Sequence, residues 1–310
     1  MQKPKAPPYY RDLLAMDELE VRPASSLDEL KAAFHLVHKR YVAKGLVEPP
    51  SEHEEHLQVS IYNAVPQTVT FVGVLRGTVI ATATLVADSD AGLPMDKLYR
   101  RELQELRNRG RQLTEVTMLA DRRRSNAWRT IPMLFLVLKR LFDRVHLQLE
   151  ADDACITVHP DHADFYKNYL LFEELGPEKP YPSVNHNPAV ALRLNFRNVK
   201  ERYQKRPRLR STFLENRTDS EDLKPQYSPR RQHLEDILVK TGALRDANRK
   251  QLEALNEAYP GCPWYRWWRR LNPSATEDPA AGDRPGAREG AACDTEEVVE
   301  PVAFSRNCGK

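Results

Sequence analysis

Residues 84–120 read TLVADSDAGLPMDKLYRRELQELRNRGRQLTEVTMLA. The stretch starts with a β-rich run and continues through a loop, Asp88–Asp96, that contains a glycine and a proline. A charged helical pattern follows, and a second β-rich run, Leu113–Ala120, ends the stretch. One carboxylate, Glu115, lies in this second run among apolar neighbours, although acidic residues are depleted in strands. Its position therefore indicates a carboxylate with a specific role.

A helix is predicted before this stretch. Ser26–Glu29 fits a capping box, in which the serine oxygen accepts the Glu29 amide and the Glu29 side chain reaches back to the start of the helix. Apolar residues then recur at helical spacing up to Gly45, which is a favourable helix stop: Leu27, Leu30, Phe34, Val37 and Tyr41.

The remaining pattern alternates strands and helices. β-rich runs at 68–75 and 78–87 are joined by Arg76-Gly77 and predict an antiparallel hairpin. After residue 120 the predicted order is helix, strand, helix, strand: 130–145, 154–158, 161–170 and 188–195. This order predicts an α/β fold with a mixed central sheet flanked by helices.

Composition divides the chain into four predicted parts: an irregular lead-in at 1–24, an α/β domain at 25–196, a basic linker with short helices at 197–270, and a disordered acidic tail at 271–310. The tail has eight acidic and four basic residues, a net charge of −4, so the rest of the +3 chain carries +7. A moderately basic body attracts anionic partners.

The four cysteines do not form a CxxC pair, and no apolar run is long enough to span a membrane. These features favour a cytoplasmic protein.

The loop Gly92-Leu-Pro-Met-Asp96 and the run Arg-Gly-Arg-x-Leu-x-Glu-Val at 109–116 resemble those of the long-chain N-acyl amino acid synthases of the FeeM type. That family is related to the acyl-homoserine-lactone autoinducer synthases. The resemblance covers roughly residues 27–194. It implies a GNAT-like fold, that is, the acyl-CoA N-acyltransferase fold, and N-acyltransferase activity. It also implies acyl carrier protein as donor, carrying the acyl group on phosphopantetheine, an amino acid as acceptor, and no bound cofactor.

Glu115 is the predicted proton acceptor or anchor for the amine. Burial among Val116, Met118 and Leu119 would desolvate the carboxylate and raise its pKa toward a useful range. The resemblance also implies a glutamate in the active site at this point of the central strand. The alternative is an exposed glutamate paired with Arg111 or Arg109.

Two further catalytic groups are implied by the resemblance. A main-chain N–H of Met118 or Leu119 would stabilise the oxyanion, a contribution of about 3 kcal/mol in comparable sites. Tyr166 matches the tyrosine that protonates the leaving thiolate in GNAT enzymes. Its spacing to Phe172 is one residue longer than usual, and core packing is the alternative role.

Donor binding is predicted after the central strand. Acetyltransferases carry a Gly-rich turn there, at which backbone amides meet the pyrophosphate of coenzyme A. Residues 121–129 instead have no glycine and four arginines: Arg122, Arg123, Arg124 and Arg129. Arginines suit the carboxylates and single phosphate of an acyl carrier protein. A solvated charged loop is the alternative.

Arg40 is the predicted partner of the acceptor carboxylate, by resemblance to the autoinducer synthases, or else a surface charge. Two His-x-x-His pairs, at 53–56 and 159–162, have no convincing third ligand, so no metal is expected. Residues 264–270 form a cluster of tryptophans and arginines. Its tryptophans suggest either peripheral membrane contact or docking on the core: Trp264, Trp267 and Trp268.

Three functions remain open from sequence. The first is transfer of a long-chain acyl group from acyl carrier protein to an amino acid. The second is an acyltransferase with another amine acceptor, although Met118 stands where autoinducer synthases usually carry an arginine. The third is a non-catalytic protein that binds acyl groups or nucleic acid through the basic stretch 197–231. Specific nucleic-acid binding is not expected, because that stretch has few aromatics.

Overall fold

A computed structural model describes residues 18–49, 56–122, 137–215, 219–227 and 229–275. Its centre is a seven-stranded sheet in the order β1-β2-β3-β4-β5-β7-β6. The β4–β5 pair is parallel and the other neighbouring strands are antiparallel. The strands are β1 Leu19–Pro23, β2 Val69–Leu75, β3 Thr78–Ala87, β4 Leu113–Asp121, β5 Asp153–Val158, β6 Glu173–Tyr181 and β7 Asn187–Asn195. The predicted mixed sheet is confirmed.

Helices cover both faces of the sheet. One face carries α3, α4 and α5, and the other carries α1, α2, α6 and α7. The helices are α1 Leu27–Ala43, α2 Asp96–Asn108, α3 137–144, α4 Pro160–Leu170, α5 Phe196–Gln204, α6 Arg249–Ala258 and α7 Trp264–Leu271. Shorter helical turns connect α5 to α6. The sheet is therefore the middle layer of three.

The first helix begins where the capping pattern predicts. Ser26 Oγ accepts the Glu29 N–H at 3.2 Å. The Glu29 carboxylate reaches back to the N–H of Ser25 at 2.8 Å, one residue earlier than expected. Arg22 of β1 also binds this carboxylate at 2.7 Å, so the pair joins the edge strand to α1.

Two strands were missed by the sequence analysis. The prediction of an irregular lead-in is wrong for Leu19–Pro23, which pairs with β2 and alternates apolar and polar residues with its proline at the strand end. Strand β6 was missed because its sequence, EELGPEKPY, contains a glycine and two prolines. Its pairing with β7 is irregular around Gly176.

Residues 229–275 are largely helical and pack on the α1 side of the sheet. Trp264, Trp267 and Trp268 are only 1%, 4% and 9% exposed. Their indoles face the protein interior, so the predicted membrane contact through them is wrong, and docking on the core is what the structure shows. The prediction for residues 276–310 lies outside the described residues.

Strands β4 and β5 pair over only four residues each. Leu113–Val116 of β4 lies beside Asp153–Ile156 of β5. Strand β4 continues to Asp121, and no described pairing with β5 follows Val116. The middle of the sheet therefore opens at this point, with Glu115 at the edge of the opening.

Candidate active site

Glu115 is a buried carboxylate without a cationic partner among the described residues. Its side chain points to the α2 face and the residue is 2% exposed. The main-chain N–H of Met95 donates a hydrogen bond to Oε2 at 2.8 Å. The pKa of Glu115 is raised to about 8, chiefly by burial; the Met95 bond lowers it, and the carboxylates of Asp96 and Asp88 raise it.

The alternative of an exposed, arginine-paired Glu115 is excluded. Arg111 instead binds the buried carboxylate of Asp153 and the side chain of Asn195. Arg109 is exposed beyond the end of α2. Glu115 is therefore desolvated, as the sequence predicts.

Arg107 fixes the loop that supplies the Met95 amide. Its guanidinium binds both oxygens of Asp88 at 2.7 and 2.8 Å, and both oxygens of Asp96 at 2.7 Å. Asp96 also accepts the N–H of Leu93 at 2.7 Å. One arginine therefore holds the two loop acids together and so sets the backbone beside Glu115.

Gly92 is required within this loop. Its φ of +74° lies in the left-handed region, and a Cβ there would stand 2.8 Å from Asp96 Oδ2. Glycine is thus the residue that allows the Asp96 carboxylate to turn back on the loop.

Three tyrosines are close enough to Glu115 for its negative charge to raise their pKa values: Tyr41 of α1, Tyr62 of the 61–64 turn, and Tyr181 at the end of β6. Burial raises the pKa of Tyr41 and Tyr62 to about 12, and the pKa of Tyr181 also rises through burial. The carboxylate of Glu115 is the next cause in each case. The site thus combines the carboxyl of Glu115 with three neutral phenols, and the sequence analysis did not identify these phenols as site residues.

Strand β4 has a β-bulge two residues after Val116. Met118 and Leu119 together oppose the single residue Ala83 of β3. Met118 has φ +53°, which a side chain with a Cβ rarely adopts. Bulges often occur beside active sites, where they redirect backbone and side chains. The predicted oxyanion donors thus lie at a distorted part of β4, on the section that β5 does not pair with.

An apolar cavity of about 30 Å³ lies against the opposite face of the sheet. Val116 of β4 and Ala154 of β5 form its floor. Aromatic and aliphatic side chains form its walls, among them Leu138, Phe142, Phe172, Tyr203 and Phe213. The cavity therefore starts at the same two strands that border the opening beside Glu115.

Tyr166 lies with this apolar layer rather than with Glu115. The ring is 8% exposed and makes edge contacts with Phe165 and Phe172. Burial alone raises the pKa of Tyr166 to about 12. The structure does not bring it into the cluster around Glu115, so its catalytic role stays a prediction.

The predicted binding arginines are only partly described. Arg40 is half-buried in the last turn of α1, and its side chain makes no hydrogen bond or ion pair with the described residues. Arg122 is exposed at the end of β4. Arg123, Arg124 and Arg129 lie outside the described residues.

No group of His, Cys, Asp and Glu in the described part of the chain has a geometry that would hold a metal ion. His159 caps α4 by accepting the N–H of Asp161. Within the same ranges, no helix combines the length and the hydropathy that crossing a membrane requires.

Comparisons with known proteins agree with this geometry. The family model of the N-acyl amino acid synthase FeeM matches residues 32–195. This range includes the loop at 88–96 and strand β4, which carries Glu115, and it covers more than half of the chain. The protein is an acyltransferase enzyme, with a GNAT-like mixed sheet. It belongs to the FeeM family of N-acyl amino acid synthases.

Solved structures with similar folds include FeeM itself, an N-acyl amino acid synthase from uncultured soil microbes. It is 25% identical, with a TM-score of 0.49, and the match covers 64% of this chain and 96% of that one. An acyl-CoA N-acyltransferase from Pseudomonas aeruginosa is 14% identical, with a TM-score of 0.38 and coverage of 56% and 97%. The coenzyme-A-dependent acyl-homoserine lactone synthase BjaI is 14% identical, with a TM-score of 0.41 and coverage of 61% and 88%. No curated protein matches the chain.

Proposed function

We propose that this N-acyltransferase moves a long-chain acyl group from the thioester of acyl carrier protein to the amine of an amino acid, giving an N-acyl amino acid. The observation that carries the proposal is the desolvated carboxyl of Glu115, which has no described cationic partner and lies beside the opening between β4 and β5. The ammonium group of an amino acid would supply the positive charge that Glu115 lacks among its described neighbours.

The raised pKa of Glu115 suits a proton acceptor for an amine. At about 8, it makes the carboxylate a stronger base than an ordinary glutamate, whose pKa is near 4.5. An arriving ammonium group favours the ionised form of Glu115, which is the form that can take a proton. We propose that Glu115 takes the proton and leaves the amine nitrogen with a free electron pair.

The acyl transfer follows by direct attack. The amine nitrogen bonds to the thioester carbonyl carbon, and the carbonyl oxygen gains negative charge near the amides of Met118 and Leu119. The C–S bond then breaks, the amide carbonyl re-forms, and the leaving thiolate takes a proton, for which Tyr166 is the proposed donor because it lies on the apolar face of the same sheet. The nitrogen, which still carries two protons after the attack, gives one of them back to the phenolate of Tyr166, and Glu115 later releases the first proton to solvent.

The acyl chain is proposed to occupy the apolar cavity below Val116 and Ala154. A cavity of about 30 Å³ is far smaller than a long acyl chain. We therefore expect its aromatic walls, Phe142 and Phe213 in particular, to move apart when the chain enters. Arg40 is the proposed partner of the acceptor carboxylate, because its guanidinium has no other described partner and its neighbour Tyr41 faces Glu115.

Acyl carrier protein is the proposed donor because residues 121–129 lack glycine and carry four arginines. An acidic carrier protein offers more carboxylates to such a segment than coenzyme A does.

Mass spectrometry of lipids tests the reaction class. Cells expressing the wild-type chain should contain new N-acyl amino acids that are absent with Glu115→Gln. The matched control is Glu105→Gln, an exposed glutamate of α2, which should leave the products unchanged. N-acylated compounds without an amino acid acceptor would support the second candidate, an acyltransferase with another amine. No new product from folded wild-type protein would contradict the proposal.

A further inference from the structure

The segment 229–275 lies outside the residues that match the family model and packs directly over the site. Here it is called the C-terminal segment. Leu252, Leu255 and Trp264 of this segment share one apolar cluster with Phe34 of α1 and with Met118 of the β4 bulge. The cluster therefore connects the segment to the strand that carries Glu115.

Gln251 is the polar residue of this segment that reaches the site. It is 5% exposed, at the start of α6. Its Nε2 donates to the hydroxyl of Tyr62 at 2.9 Å and to the carbonyl of Ala91 at 3.5 Å. Tyr62 is one of the three phenols around Glu115, and Ala91 belongs to the loop that holds the carboxyl of Glu115.

The orientation of the Gln251 amide is fixed by the helix cap. The side-chain Oε1 of Gln251 accepts the main-chain N–H of Asn248 at 3.0 Å. The main-chain N–H of Gln251 donates to Asn248 Oδ1 at 3.1 Å. Since Oε1 is engaged at the cap, the amino group points to Tyr62 and Ala91. An amino group only donates, so the Tyr62 oxygen accepts and the hydroxyl proton of Tyr62 remains free to donate elsewhere.

We infer that Gln251 is a positioning residue for the acceptor, which turns the Tyr62 hydroxyl so that it donates to the carboxylate of the amino acid bound beside Glu115. The C-terminal segment thereby becomes a part of the catalytic site. This inference rests on the proposed function. Ala254, one turn further along α6, packs in the same apolar cluster as Tyr62 and Leu93, which keeps the helix against this wall of the pocket.

Gln251→Glu is the first variant, and its effect on acceptor binding is compared with its effect on donor binding. A glutamate keeps an oxygen for the N–H of Asn248, so α6 retains its cap. It loses the amino group, accepts a hydrogen bond from the hydroxyl of Tyr62, and adds a negative charge that repels the acceptor carboxylate. Asn256→Asp is the matched control, because it makes the same change from amide to acid on the exposed side of α6.

The expected result is a KM for the amino acid that rises about tenfold or more in Gln251→Glu, the effect of losing a hydrogen bond to a charged group. The KM for the acyl donor should stay close to the wild-type value, whereas the thermal midpoint of Gln251→Glu should fall because a carboxylate replaces a buried amide. Asn256→Asp should change neither KM nor the thermal midpoint. Calorimetric titration of the amino acid without donor should show the same weakening, independent of turnover.

Tyr62→Phe is the second variant, since it leaves the α6 cap intact. It should raise the acceptor KM by a similar factor, and adding Gln251→Glu to it should produce little further change. Unchanged acceptor affinity in both single variants, with Glu115→Gln inactive, would overturn this inference and leave the proposed function standing. Full activity of Glu115→Gln would instead overturn the proposed function.

Discussion

The main-chain N–H of Met95 donates to Oε2 of Glu115 at 2.8 Å, so a loop backbone, rather than a basic side chain, holds the buried carboxyl. One neutral hydrogen bond does not offset the desolvation of the carboxylate or the fields of Asp96 and Asp88. The pKa of Glu115 therefore settles near 8 and not near 4.5. Under the proposed function, the ammonium group of the acceptor supplies the positive charge that Glu115 lacks among its described neighbours.

Glu115→Gln should change how stability depends on pH. Because the folded state raises the pKa of Glu115 from 4.5 to about 8, it binds the proton more tightly than the unfolded state does. The wild-type free energy of unfolding therefore falls as pH rises from 4.5 to 8, by at most about 5 kcal/mol. Glutamine does not titrate, so the variant should gain stability relative to wild type between pH 5 and pH 9. Urea denaturation at pH 5 and at pH 9 measures the difference in the free energy of unfolding between variant and wild type, with Glu105→Gln as control. An equal difference at both pH values would contradict the raised pKa.

Arg107→Ala should destabilise the fold and damage the site together. Asp88 and Asp96 would lose their common cation in a partly buried position, at a cost of about 3 kcal/mol. Denaturant unfolding measures the cost, and acyl transfer should fall because the Met95 amide loses its fixed position. Arg101→Ala, on the exposed side of the same helix, is the control and should cost less than about 1 kcal/mol. Similar costs for the two variants would show that the loop does not depend on Arg107.

Gly92→Ala should lower the stability of the fold more than Gly110→Ala does. Both glycines have φ near +70°, so alanine is strained by about 1 kcal/mol at either position. Only at Gly92 does the new Cβ also meet a neighbour, the Asp96 carboxylate at 2.8 Å. The thermal midpoint and the rate of acyl transfer should therefore both drop further in Gly92→Ala. Equal behaviour of the two variants would mean that the loop adjusts freely around Asp96.

Trp264→Ala should release the C-terminal segment. The indole is 1% exposed, and truncating a buried tryptophan costs about 3–5 kcal/mol. Limited proteolysis should then cut within 229–275 faster than in wild type, whereas Arg266→Ala, on the exposed side of α7, should not change the cutting rate. Unchanged protection in Trp264→Ala would show that the segment is held by other contacts.

Local patterns in the sequence predicted the features that depend on neighbouring residues. The capping signal at Ser26 predicted α1, and the acidic residue within an apolar strand predicted the buried Glu115. The role of Arg107 was not predictable, because it sits in a highly charged helix where an arginine usually faces solvent or pairs along the helix.

Long-range contacts explain the other omissions. Tyr41, Tyr62 and Tyr181 come from three separate elements and meet only because the sheet brings those elements together. Gln251 is 189 residues from Tyr62 in the chain, and its role in the helix cap gives no sign of its second contact. No periodic pattern in the sequence predicts contacts between residues so far apart in the chain.

Purified protein supplied with acyl carrier protein thioesters, coenzyme A thioesters and the common amino acids gives the most direct test. We predict that mass spectrometry detects N-acyl amino acids with the carrier protein donor, that Glu115→Gln forms almost none, and that Glu105→Gln matches wild type. Wild-type rates in Glu115→Gln would contradict the assignment of Glu115 as the proton acceptor and, with it, the central claim about this site.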